Sequence, residues 1–402
     1  MRLSPLLEEV QGEQVHYYAA KARELERRRG VRVINFGVGQ PDLDTPEHIK
    51  DEAKRALDAG FTGYTDAAGI RELREAIADY LRERTGADVR PDEVVVTTGG
   101  KTAIFMALAA AARPGSEVVI VEPAYYAYPQ VVKFLGARPV YASMRWSPGR
   151  GHEFDVDEIA RLIGERTSAV VLNSPHNPTG AVLEQRAMEE IVEEASRVGA
   201  AVISDEVYEW FVYEGSFASV LETSGWRDSA ILVQSFSKTF RMTGWRLGYV
   251  VARRDVAEKL VNLAVTLYTC APSFVQKAGV AALRGGLEEV EEMVRLFDER
   301  RRLAVELLRG VPGLEVPEPR GAFYVFPRAV GLLEASGLDE RAFAERLLEE
   351  EGVLVTPGTV FPKEAGRGFV RLSYAMKKDL IVEGISRLRA FAERILSGAR
   401  RR

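Results

Sequence analysis

Ile231-Leu-Val-Gln-Ser235-Phe-Ser237-Lys238-Thr-Phe-Arg-Met-Thr-Gly-Trp-Arg246-Leu-Gly-Tyr249 carries a short apolar run into a polar turn and out again into a second apolar run. A lysine directly after a buried strand is poorly placed for a solvated face. Burial disfavours its ammonium form and makes the neutral amine more available. Covalent condensation with an aldehyde needs that neutral amine. Ser235, Ser237 and Arg246 add hydroxyl and guanidinium donors suited to a dianionic phosphate. An ordinary loop lysine fits the local spacing equally well, so the meaning of Lys238 depends on its surroundings.

Those surroundings alternate short apolar runs with longer helical patterns. Glu93–Val96, Glu117–Val121, Ala169–Leu172, Ala200–Ser204, Ile231–Gln234 and Leu247–Val251 read as strands. A helix runs from Gly100 to about Ala112, and others cover Tyr126–Leu135, Val156–Ile163, Leu183–Val198 and Val256–Leu267. Apolar strands alternating with helices predict an α/β layer with a mostly parallel, buried sheet. Ligands of such sheets bind beyond the carboxyl ends of the strands, which is where the unusual residues of this chain fall.

Four more segments follow strands in this way. Asp205, in Ser204-Asp-Glu-Val-Tyr208, offers a carboxylate to a protonated ring nitrogen, a pairing that is stronger away from water; an aspartate there also suits a helix N-cap. Asn173-Ser-Pro-His-Asn177-Pro-Thr-Gly180 is an irregular loop whose Asn177 amide can donate to a phenolate; a plain turn reads the same way. His176 is expected to be a loop residue or a neighbour of the site rather than a base. Thr97-Thr-Gly99-Gly100-Lys101 opens a helix, where free N–H groups bind phosphate. It has neither P-loop nor dinucleotide-binding glycine spacing. Phe369-Val-Arg371-Leu-Ser-Tyr374 reads as a strand with Arg371 on the face opposite Val370 and Leu372. Its guanidinium fork matches a carboxylate, although a surface arginine fits as well.

The C-terminal part changes character. A long helix is expected over Leu287–Leu308, then strands at Ala322–Phe326, Val353–Val355 and Phe369–Ser373, and a helix near Leu380–Ile395. This predicts a smaller α+β unit.

Composition narrows the possibilities. The chain has 402 residues, 46% hydrophobic and 28% charged, in the range of a soluble globular protein. A net charge of −5, with no long basic block outside the short Arg400–Arg402 end, argues against a nucleic-acid partner. His16, His48, His152 and His176 are scattered without metal-ligand spacing, so no metal is expected. The single cysteine, Cys270, sits among apolar residues and is read as buried packing. Met1–Val10 carries acids rather than an export signal, and no stretch is long enough to cross a membrane. A cytoplasmic enzyme is expected.

Taken in order from about Asn35 to Tyr374, these motifs resemble the fold-type-I pyridoxal-phosphate (PLP) aminotransferases of class I/II, the group of the aspartate, aromatic and kynurenine enzymes. The resemblance implies a large domain with a mostly parallel seven-stranded sheet over residues 47–285. A smaller α+β domain follows at 286–402, completed by the N-terminal segment 1–46. It makes Lys238 the lysine that carries PLP, and Asp205 the partner of the cofactor's ring nitrogen. Asn177 and Tyr208 become the donors to its phenolic oxygen. Gly99, Gly100, Lys101 (through backbone), Ser235, Ser237 and Arg246 form the phosphate cup. Tyr125 stacks on the ring, Arg371 clamps the substrate α-carboxylate, and Gly39 contacts the same group through its backbone, with Asn177 also on the substrate side. Tyr64 resembles a tyrosine that reaches the neighbouring subunit's phosphate, which implies a homodimer. Ala124 departs from the tyrosine that many relatives carry before the stacking ring. No cation is assigned to a substrate's distal carboxylate, so aspartate and aromatic donors stay open.

The implied reaction is ping-pong amino transfer between an L-amino acid and a 2-oxo acid, with 2-oxoglutarate and glutamate as one pair, and with Lys238 moving the α-proton. A β- or γ-elimination lyase on the same scaffold is one alternative. A PLP-binding regulator is another, less favoured because no basic recognition helix precedes the motifs.

Overall fold

The computed structural model describes residues 4–8, 14–30, 32–361 and 364–399. The Arg400–Arg402 end and part of the Met1–Val10 segment lie outside the described residues.

Seven strands form the central sheet: β1 (Val94–Thr97), β2 (Glu117–Glu122), β3 (Arg138–Ser143), β4 (Thr167–Asn173), β5 (Ala201–Asp205), β6 (Ala230–Ser235) and β7 (Gly248–Val251). They lie in the order β1-β7-β6-β5-β4-β2-β3. Only β7 runs against its neighbours, β1 and β6; the other pairs are parallel. Unbroken valine and isoleucine runs make sense here because both faces are covered. Val95, Ile120, Val171, Ile203 and Val233 pack on one face with Ile104 and Leu260 from helices Gly100–Ala111 and Arg254–Leu267. Val94, Val96, Leu172, Val202 and Leu232 pack on the other with Leu73, Ile77, Met188 and Ile191 from helices Arg71–Thr85 and Gln185–Arg197. Each such buried side chain contributes roughly 1.5–3 kcal/mol relative to exposure, which makes the sheet a rigid base for the loops at its rim.

The six strands expected from the apolar runs are present within two residues of their expected ends. The strand pattern did not reveal β3. It is an edge strand, half-exposed and containing Pro139, so its sequence lacks a continuous buried run. Helices Glu47–Asp58, Arg71–Thr85, Ser273–Arg284, Val330–Ser336 and Glu340–Glu351 were also unmarked.

After helix Glu288–Arg309, strands Tyr324–Val325, Val370–Ser373 and Thr356–Pro357 form a small antiparallel sheet. Its first strand is shorter than the expected Ala322–Phe326. Far upstream, Ile34 and Asn35 pair in parallel with Val353 and Leu354. That pairing brings the glycine-rich loop after Asn35 to the rim of the large sheet. Cys270 corrects its expected role: it is only half-buried, beside the backbone N–H of Thr65. The turn that carries it runs near the surface after the exposed Val265 and Leu267, and the chain re-enters the core only at Ala271.

Candidate active site

Strand register brings the motifs together. Asn173 lies opposite Asp205, and Gly248 lies opposite both Thr97 and Ser235. The loops after β1, β4, β5 and β6 therefore leave the sheet side by side. Glycine is required at 248, because a Cβ would stand 2.9 Å from the carbonyl carbon of Gly99 and 3.0 Å from the nitrogen of Gly100. One cleft is lined by Gly39, Gly100, Lys101, Tyr125, Asn177, Asp205, Tyr208, Ser235, Ser237, Lys238, Arg246 and Arg371.

Lys238 sits in a single helical turn, Phe236–Thr239, capped by Ser235, whose Oγ accepts from Ser237 N at 3.1 Å. Its ammonium donates to the carbonyl of Gly39. Burial, then the charges of Arg371 and Arg246, pull its pKa from 10.5 down to about 8, against the opposing pull of Asp205. The amine is thus far easier to deprotonate than a surface lysine.

Asp205 is buried, and burial raises its carboxyl to about 6. Tyr128 donates to it at 2.6 Å, and Val207 N at 3.3 Å. Asp205 caps no helix. The next residue, Glu206, anchors the chain instead: its carboxylate accepts from Ser204, Ser219 and Val220 N, each at 2.8 Å.

The phosphate-type cradle is built from backbone and one cation. Gly99, at φ 92°, caps helix Gly100–Ala111. A Cβ at Gly99 would come within 2.3 Å of the Arg246 guanidinium, so only glycine lets that cation close on the helix start. Arg246 holds a left-handed backbone, φ 57°, and spends donors on the carbonyls of Thr243 and Thr98. It has no carboxylate partner among the described residues. A non-glycine residue in that conformation is uncommon and marks a constrained site.

Arg371 is buried, not on a half-exposed sheet face. Its guanidinium donates to Asn177 Oδ1 at 2.9 Å and to the Gly37 carbonyl at 2.7 Å, and lies between the rings of Tyr324 and Phe361. It too lacks a carboxylate among the described residues, and its Nε has no partner. Because Asn177 accepts through its oxygen, its amide nitrogen remains available as a donor. His176 is buried, bonds Thr179 at 2.7 Å and is pushed down to about 3 by burial, so it stays neutral. It does not line the cleft. Tyr64 does not join the cleft of its own chain and is 90% exposed.

Several cleft residues carried no motif. Tyr128, Tyr324 and Phe361 read as core aromatics in sequence, and nothing in their spacing separates them from packing. The Gly99-Gly100-Lys101 helix start marks backbone N–H groups, and its spacing says nothing of where the Lys101 side chain goes. Its ammonium lines the cleft and donates to Tyr126 Oη at 2.7 Å. No cluster able to hold a metal occurs among the described residues.

A sheet of this order, with an easily deprotonated lysine and a buried carboxylate on neighbouring strand ends, is the framework of the fold-type-I PLP enzymes. The cofactor fits these residues: an aldehyde needs the amine, a pyridinium the buried anion, and a phosphate the glycine helix start with its closed-down arginine. The family described as aminotransferase class I and II matches residues 31–388. The chain is 45% identical to an aspartate aminotransferase of Sulfurisphaera tokodaii, over 96% of this chain and 97% of that protein. It is 38% identical to aromatic-amino-acid aminotransferase 2 of Thermococcus litoralis, over 96% and 97%. Its fold superposes on the aspartate aminotransferase of Thermus thermophilus solved with maleate at a TM-score of 0.89, with 37% identity and 98% and 100% coverage. The chain belongs to the class I and II aminotransferases. It is a PLP-dependent transferase that moves amino groups between amino acids and 2-oxo acids.

Proposed function

We propose that this enzyme transfers the α-amino group of a dicarboxylic amino acid, aspartate first, to 2-oxoglutarate, and that Lys238 both holds the cofactor and carries the α-proton. The observation that carries the proton role is the Lys238 amine, lining the same cleft as Arg371 and Asp205 and drawn down to about 8 by burial and by the charges of Arg371 and Arg246. An amine near neutral pKa can take a proton and return it within one turnover.

When bound, PLP supplies a cationic ring that stores the electrons released at the substrate α-carbon. The chain's own groups do the rest. Arg371 holds the α-carboxylate with a guanidinium already aligned by Asn177 and Gly37, so little reorganisation is needed on binding. Asp205 stays anionic opposite the ring nitrogen with help from Tyr128. Asn177 Nδ2 and Tyr208 Oη donate to the phenolic oxygen. Gly99, Gly100, Ser235, Ser237 and Arg246 hold the phosphate, and Tyr125 covers the ring.

Lys101 supports the choice of a second carboxylate. Its ammonium stands at the mouth of the same cleft on the Tyr126 phenol, where a distal carboxylate has a charge-assisted partner. The names of relatives such as the Sulfurisphaera tokodaii enzyme point the same way. Initial rates for aspartate, glutamate, phenylalanine and alanine with 2-oxoglutarate test the choice. If phenylalanine exceeds aspartate in kcat/KM, the dicarboxylate reading fails.

The same reading extends to a cytoplasmic homodimer in which Tyr64 completes the partner's phosphate site; its 90% exposure suits a residue that acts on another chain. It also keeps the division into segment 1–46 with 286–402, and 47–285, supported by the pairing of Ile34 with Val353.

A further inference from the structure

Tyr324 has no role in the reading above, although it touches three of its participants. Its ring lies 4.4 Å from the Arg371 guanidinium carbon, and its hydroxyl is 2.8 Å from the hydroxyl of Tyr208. A Cβ on Gly39 would stand 2.1 Å from that hydroxyl. The side chain is 1% exposed, so this geometry has little freedom to relax.

We propose that Tyr324 is a positioning residue that couples the carboxylate clamp to the cofactor's phenolic oxygen: its ring fixes the Arg371 plane and its hydroxyl donates to Tyr208. The proposal rests on Tyr208 donating to that oxygen. If Tyr208 spends its proton there, its oxygen must accept from Tyr324. A phenol that accepts one hydrogen bond donates a stronger one, because the two polarise each other. Burial raises Tyr324 overall, but the Arg371 guanidinium lies against its ring at 4.4 Å, and a cation so placed makes the hydroxyl a better donor than burial alone would leave it. Gly39 lets the loop carrying the Lys238 contact lie flush against the same hydroxyl.

The two halves of the proposal separate by substitution. The readouts are the pH midpoint of the visible band of the PLP-loaded protein and the Kd of maleate, a dicarboxylate with no amino group to transfer. Tyr324→Phe keeps the ring and removes the donor. Its midpoint should rise by about half a pH unit or more, since a less solvated phenolic oxygen holds the neighbouring proton more tightly. Its maleate affinity should stay within about twofold of wild type, because the cation–π contact survives. Tyr324→Leu should weaken maleate binding about fivefold or more. The double variant Tyr208→Phe/Tyr324→Phe should match Tyr208→Phe alone.

An unmoved midpoint in Tyr324→Phe overturns the donor half, and so do additive shifts in the double variant. Unchanged maleate affinity in Tyr324→Leu overturns the clamp half. If Tyr208→Phe itself leaves the midpoint in place, the fault lies in the assignment of Tyr208, and the proposal falls with it.

Discussion

The phenol of Tyr128 donates a 2.6 Å hydrogen bond to Asp205 Oδ2, and both side chains are buried. The two residues are 77 positions apart, Tyr128 in the helix Ala127–Phe134 that follows β2 and Asp205 at the carboxyl end of β5. The bond matters because burial works against Asp205: its carboxyl rises to about 6, and the Tyr128 donor is the strongest influence holding it down.

Tyr128→Phe should therefore lower kcat by about tenfold, the worth of a hydrogen bond to a charged group. The sign follows from the carboxyl. Without the donor its pKa rises further, so the anion is lost at a higher pH as the medium is acidified. The acid limb of the kcat profile should move up, and a pH series of kcat checks it.

Lys238→Ala should fold, yet lose turnover by at least about 10²–10⁴-fold, the range for a positioned acid–base group. Its PLP should also wash out on gel filtration, since no amine retains it. Single-turnover rates with the loaded variant provide the measurement.

Cofactor uptake by the apoprotein should follow the unusual lysine. With the amine drawn down to about 8, the rate of uptake should climb as pH rises towards 8 and level off above it, because the neutral form then predominates. A rate still rising steeply between pH 9 and 10.5 would mean an ordinary lysine. Stopped-flow absorbance at limiting PLP distinguishes the two.

Lys101→Ala should cost aspartate about ten- to a hundredfold in kcat/KM, the loss of one charge-assisted bond, while phenylalanine changes less than about threefold. Equal losses for both substrates would instead assign Lys101 to the cofactor. Steady-state kinetics on the two donors decide.

Tyr64 can be tested by mixing inactive chains. A Lys238→Ala chain retains a good Tyr64, and a Tyr64→Ala chain retains a good Lys238. Co-refolded, they should give tighter PLP binding at one site per dimer than the Tyr64→Ala homodimer shows. Equal affinity in the hybrid would place Tyr64 outside the site.

Much of this protein could be read from its sequence, because strands buried on both faces must be continuously apolar and the reactive residues come directly after them. Lys238, Asp205, Asn177 and Gly100 were visible for that reason, and register then carried them into one cleft. β3 escaped because an edge strand needs no such run. Arg371 could be named but not its burial, since a single β-strand cannot reveal what covers it.

The sequence alone determined the family and the strand-end placement of the chemistry, and singled out Lys238 as the candidate to hold the cofactor; these depend on local spacing and on the order of motifs along the chain. Only the tertiary structure decided that Tyr128 supports Asp205, that Tyr324 bridges Arg371 and Tyr208, and that the Lys101 ammonium faces the cleft. Those contacts join residues 25 to 116 positions apart, and for side chains so far apart in sequence, distance is set by how layers pack, not by any pattern along the chain.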